Sequence, residues 1–161
     1  MTGFVGITIG RLIMETAEKF PDRPALIHPD FGINQTYSEF YGRCRQAAKG
    51  LMALGIRRGD QVAVWTTNVP EWIYLQFALG MVGGVLVTVN TNYRTHELEY
   101  ILRQSDSTAL FLIESWRDIN FYETARAVLP ELDACTSGKL ASSKCPALRN
   151  VVYIGTRQST P

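Results

Sequence analysis

Residues 60–106 constrain the fold of this chain more than any other stretch. They read as an apolar strand at 62–65, a helix centred on 70–82 and a second strand at 85–89. A polar loop, Asn90-Thr91-Asn92-Tyr93-Arg94, and another helix follow. Two strands joined by a helix of that length form a parallel crossover. The joining helix carries Trp72, Ile73, Leu75, Phe77, Ala78, Leu79 and Met81, which leave little polar face. Such a helix should be buried on most sides. Asn68 is placed as its N-cap, with Glu71 three residues on and Pro70 in the first turn. Gly80, Gly83 and Gly84 follow this helix instead of opening it, so they are poor candidates for a phosphate cradle. Close helix-to-sheet packing and a helix stop are their expected roles.

The flanking segments fit the same architecture. Ile9, Leu12, Ile13, Ala17 and Phe20 recur at helical spacing up to Pro21. Residues 25–28 and 35–37 read as strands joined across Asp30-Phe31-Gly32. Ser38 is read as the cap of a helix with Phe40, Cys44, Ala47, Ala48, Leu51 and Met52 inward, closed by Gly55. Thr95 is read as the cap of the next helix, with Leu98, Ile101 and Leu102 inward. The unbroken apolar run 109–113 suits a strand covered on both faces. Asp118 is read as the cap of a last helix that Pro130 stops. Residues 133–147 should form a surface loop before a final strand at 151–154. The expected class is α/β, with a mostly parallel sheet flanked by helices.

Composition excludes several functions. Sixteen basic and fifteen acidic residues give a net charge of +1 with no basic run, so no nucleic-acid partner is expected. Apolar residues are 46% and charged residues 19%, the balance of a globular chain. No run reaches the roughly 18 apolar residues of a transmembrane segment. Cys44, Cys135 and Cys145 lack a Cys-x-x-Cys spacing, and His28 and His96 lie far apart. Reduced thiols, a cytoplasmic setting and no metal site are the expectations. Neither a Gly-x-Ser-x-Gly elbow nor a Gly-x-x-x-x-Gly-Lys-[Ser/Thr] loop occurs. Residue chemistry alone therefore names no reaction.

A family resemblance goes further. Gln35-Thr36-Tyr37-Ser38-Glu39-Phe40 resembles the "Thr-Tyr-x-Glu-Leu" segment of the adenylate-forming (ANL) superfamily. Asp60-Gln61-Val62-Ala63-Val64 is similar to its "Gly-Asp-x-Val-Ala" strand, and Asn68-Val69-Pro70-Glu71-Trp72 to the helix after it. Residues 89–98 resemble "Val-Asn-Pro-x-Tyr-Arg-x-x-Glu-Leu", with Thr91 where the family often has proline. Ser105-Asp106-Ser107 and the run 145–151 match two further segments in order. Tyr93-Arg94 points towards AMP-dependent fatty acyl-CoA synthetases.

The resemblance implies a single partial domain, residues 1–161, from the N-terminal part of such a ligase. The whole enzyme would join a carboxylic (fatty) acid, ATP and CoA into acyl-CoA, AMP and pyrophosphate, with Mg2+. The phosphate loop and catalytic lysine would lie in the remainder, so this chain is expected to hold no catalytic residue and no cofactor, to be inactive alone, and to self-associate. Thr91, Arg94 and Arg117 are placed by resemblance near the CoA nucleotide, where a guanidinium suits a phosphate; the alternative for both arginines is an ordinary solvated position. Trp65 and Trp72 could border an acyl channel, with core packing as the alternative. A stand-alone α/β binding or interaction module derived from the family is the second reading of function, and a flavodoxin-like nucleotide binder a third.

Overall fold

A computed structural model describes residues 6–136 and 138–155. The chain divides into two compact units. One runs up to Gly59 and includes Pro70–Gly84; the other comprises Asp60–Val69 and the chain from Val85 on.

In the first unit, α1 (Ile9–Lys19) leads to a hairpin of β1 (Pro24–His28) and β2 (Ile33–Thr36), then to α2 (Tyr37–Ala53). Thr36, not Ser38, caps α2. Its hydroxyl accepts from the Glu39 N–H at 3.3 Å, and Glu39 Oε2 accepts from the Thr36 N–H at 2.9 Å. The reciprocal Thr-x-x-Glu arrangement moves the cap two residues earlier and takes Tyr37 into the helix. Phe40, Cys44, Ala48 and Leu51 are buried on the inner face, whereas Met52 faces solvent. Gly55 has φ +82°; it donates to Met52, and Ile56 donates to Leu51, closing the helix in a Schellman motif.

The apolar helix α3 (Pro70–Val82) belongs to this unit. It starts at Pro70, so Val69, not Asn68, precedes it. Both α1 and α2 pack against it, and among its residues Glu71 alone is exposed. Its glycine makes a helix-to-helix contact: a Cβ on Gly80 would stand 3.1 Å from the Ile9 Cβ, and one on Gly10 only 2.9 Å from the Met81 Cα. The helix stop is Gly83, at φ +77°.

In the second unit, β3 (Gln61–Trp65), β4 (Val85–Thr88), β5 (Ala109–Leu112) and β8 (Asn150–Tyr153) form a parallel sheet in the order β4-β3-β5-β8. Every residue of β5 is buried, as its lack of alternation requires. Between them come α4 (Thr95–Gln104), a small hairpin of β6 (Ser115–Trp116) and β7 (Ile119–Asn120), and α5 (Phe121–Val128). Asn120 caps α5 by accepting from the Glu123 N–H at 2.9 Å, so Asp118 is released from the role the sequence suggested. Thr95 is likewise the first helical residue, and Glu97 Oε2 accepts from the Arg94 N–H ahead of it at 3.0 Å. Within the loop after α5, Leu140, Ser142 and Cys145 are buried, and Leu140, Cys145 and Leu148 join the core. Glu131 holds the loop by accepting from the Ser143 N–H at 3.2 Å.

Candidate functional site

In an open parallel sheet, ligands gather at the carboxyl ends of the strands, where the connections diverge. Two connections at that edge contain Thr91, Arg94 and Arg117.

The first follows β4. Trp65, at the end of β3, donates its indole N–H to the Asn90 carbonyl at 2.9 Å. The same carbonyl accepts from the Tyr93 N–H at 3.1 Å, and the Asn90 side chain accepts from the Asn92 N–H at 2.9 Å. This is an Asx turn inside a backbone turn, and it sets the loop without a proline at Thr91. Thr91 sits half-buried within it. Arg94 leaves the loop at the start of α4, its side chain exposed.

The second is the β6–β7 hairpin. Its two-residue turn consists of Arg117 and Asp118, with Arg117 at φ +54°, and Ile119 anchors it in the core. Left-handed geometry at a non-glycine residue is uncommon, and here a tight hairpin requires it. The Arg117 guanidinium lies 5.7 Å from the centre of the Trp116 ring. Arg94 Nη2 donates to Asp118 Oδ2 at 2.7 Å, so the two connections are tied.

The arrangement places two guanidinium groups beside one carboxylate. The Arg94 donor, the Asp118 backbone N–H and the Arg94 charge hold the Asp118 carboxyl below the usual carboxylate range, with Arg117 adding a smaller pull. Glu97 is held low by its own backbone N–H and then by that of Arg94. The set can present donors to an anion, and it contains no nucleophile with a base. Arg94 and Arg117 are therefore brought together through Asp118, while Thr91 stands within the neighbouring loop. Trp65 is fully buried and stacks on Phe121, which assigns it to the core; Trp72 is half-buried. Asp118 and Asn90 were missed by sequence reasoning. The signals were the Asn-x-Asn spacing and the short Trp-Arg-Asp-Ile hairpin. Among the described residues, no three His, Cys, Asp or Glu side chains gather as a metal site, and no helix is long and apolar enough to cross a membrane.

Residues 13–154 match the AMP-binding enzyme family. The chain belongs to that family. Among its relatives, YngI of Bacillus subtilis (strain 168), which carries the name of an acyl-CoA synthetase, is 46% identical over 158 residues. The match covers 98% of this chain and 29% of YngI. The mitochondrial medium-chain acyl-CoA ligase ACSF2 of Danio rerio is 32% identical over 151 residues, covering 94% of this chain and 25% of that protein. The N-terminal domain of FACL13 from Mycobacterium tuberculosis superposes with a TM-score of 0.71 at 25% identity, over 91% of this chain and 33% of that one. FadD1, a long-chain-fatty-acid-CoA ligase of Archaeoglobus fulgidus, shares the fold at TM-score 0.70 and 22% identity, over 94% of this chain and 28% of its own. The chain thus spans under a third of the curated relatives it matches, and corresponds to the N-terminal portion of an acyl-CoA synthetase.

Proposed function

We propose that this chain is the N-terminal portion of a cytoplasmic AMP-forming acyl-CoA synthetase that joins a fatty acid to CoA at the expense of ATP. The match over 98% of the chain to YngI carries the reading. A carboxylate is a poor electrophile, and adenylation gives it a good leaving group. In the complete enzyme Mg2+ would offset charge on the transferring phosphates; no described residue is assigned that role. The two units would be parts of one larger N-terminal domain.

This chain's own contribution is to position CoA. Arg94 and Arg117 lie on adjacent connections at the sheet edge, and a guanidinium presents a planar fork of donors to a phosphate. Thr91 would border the nucleotide from the loop that Trp65 and Asn90 hold. Asp118 orients Arg94 and competes with the phosphate for it. Alone, the chain would be inactive and would self-associate.

An antibody to this chain, applied to source-cell lysate, should reveal a band several times the mass of 161 residues. The protein in that band should form acyl-CoA from fatty acid, ATP and CoA, and the isolated chain should form none. A native band at the mass of 161 residues would mean a stand-alone module and end the ligase reading.

A further inference from the structure

Residues 40–59 hold five cations, Arg43, Arg45, Lys49, Arg57 and Arg58, and no carboxylate. The whole chain has a net charge of +1, so the remaining residues sum to −4. The segment is α2 after its first turn, together with the turn that leaves it. Phe40, Cys44, Ala48 and Leu51 bury its inner face, and all five cations are exposed.

Arg43 differs from the other four. It lines two surface recesses that it shares with Glu71 and Glu39, whose charges offset its own. Arg45, Lys49 and Met52 follow one another at i, i+4 and i+7, a single row along the helix. Neither recess is lined by that row. The Arg45 guanidinium lies 5.8 Å from the centre of the Tyr41 ring. Beside the row, a Cβ on Gly42 or Gly50 would meet nothing within 4 Å, so the row is a ridge standing in solvent. Met52 at its end is 64% exposed, and Leu54, the C-cap, is 37% exposed. Gly55 then turns the chain, and Arg57 and Arg58 follow. A lone exposed apolar side chain is ordinary. Two of them set between Lys49 and Arg57 combine an apolar tip with a cationic rim.

We propose that this ridge docks the protein on an anionic lipid bilayer, with the cations on headgroup phosphates and Met52 and Leu54 in the acyl boundary. Charge complementarity carries the proposal, since an anionic surface attracts cations that come within a Debye length of it. Lysine and arginine also lay their alkyl stems along an apolar boundary while the charge stays wet. Apolar side chains entering the boundary add a hydrophobic contribution. A folded protein partner would need a complementary shape and a desolvated anchor, whereas a bilayer accepts a convex ridge. The excess of acid elsewhere in the chain turns this side, and not another, to the membrane. Docking of this kind is independent of the ligase reading.

Flotation of the 161-residue chain with lipid vesicles tests the surface. Vesicles of equimolar phosphatidylglycerol and phosphatidylcholine should carry the chain with them. Pure phosphatidylcholine should leave it behind, and high salt should release it. A cation at such a surface is worth about fivefold in affinity, so Arg45→Gln with Lys49→Gln should weaken binding about twentyfold. Met52→Ser should weaken it about fivefold through lost apolar burial, and that arm stands even if the double variant fails to fold. Lys139→Gln removes an exposed cation of the other unit and should bind as the parent does. Equal binding to neutral vesicles, indifference to salt, full binding by the double variant or by Met52→Ser, an equal loss in Lys139→Gln, or tighter binding of a helical glutamate-rich peptide than of the vesicles would each overturn the proposal.

Discussion

The indole of Trp65 lies flat on the ring of Phe121, with centroids 4.0 Å apart and planes 9° from parallel, while its N–H reaches out to the Asn90 carbonyl at 2.9 Å. One side chain thus joins the core to the candidate site. Trp65→Phe keeps an aromatic on Phe121 and deletes the donor. It should cost about 1–3 kcal/mol, from the lost hydrogen bond and incomplete filling of the space. The more telling outcome is local. Amide exchange at Tyr93 should accelerate beyond what global destabilisation explains, because its acceptor is the carbonyl that Trp65 holds. Uniform acceleration across the second unit would remove Trp65 from any role in ordering the loop.

Arg94 and Asp118 are both exposed, so their tie should matter for geometry more than for stability. Arg94→Gln should let the Asp118 carboxyl return towards the ordinary carboxylate range, read by NMR titration. The sign follows from linkage. Asp118 is depressed when folded, so the tie is intact above its unfolded value of 3.8 and is lost as pH falls through the lower folded value. An unchanged Asp118 titration in the variant would show that Arg94 is not the cause.

Gly10 and Gly42 should respond oppositely to alanine. A Cβ at Gly10 meets the Met81 backbone at 2.9 Å, so Gly10→Ala must push α1 off α3, at about 1–3 kcal/mol. Gly42, inside α2, has nothing within 4 Å. Gly42→Ala should stabilise by about 0.5–1 kcal/mol, since glycine is a poor helix former. Urea melts of both variants would check this, and a stabilised Gly10→Ala would refute the close crossing.

Most of the fold was legible because its signals are local and strong. Four apolar residues in β5 announce a strand covered on both faces, and the glycine at 55 announces a helix end. Caps were less legible, because Thr36 and Ser38, or Asp118 and Asn120, differ only in where the chain begins to coil. Met52 continues in sequence the apolar face of Phe40, Cys44, Ala48 and Leu51, yet it alone of these stands in solvent. The candidate site was legible only in part. Arg94 and Arg117 carry a suggestive charge, but their link through Asp118 spans 24 residues and two loops. No periodicity encodes such a contact.

Cys44 gives a prediction in alkaline solution. It is fully buried among Ile13, Leu26 and Phe40, and burial pushes its thiol up to about 12, against the pull of its own backbone N–H. The folded state therefore prefers the neutral thiol, whose contribution is whole below the ordinary value of 9.0. It is lost as pH climbs from there towards 12, because the unfolded thiol ionises first. Stability of the parent chain should fall more steeply over that window than stability of Cys44→Ala. Parallel curves would show that another group sets the alkaline limit.

Self-association should run through the sheet edge. Among the described residues β4 is outermost in the sheet with a strand on one side, and Val85 on it is 48% exposed, so the edge sets backbone beside an apolar side chain. Such edges pair with one another unless a charge blocks them. The isolated chain should show a mass that rises with concentration in light scattering. Val85→Lys places a charge on that edge at little cost to folding, because the side chain is already half in water. It should return the chain to a monomer. If Val85→Lys associates as strongly as the parent, the contact lies elsewhere; if the parent is monomeric at high concentration, this edge is not a pairing site.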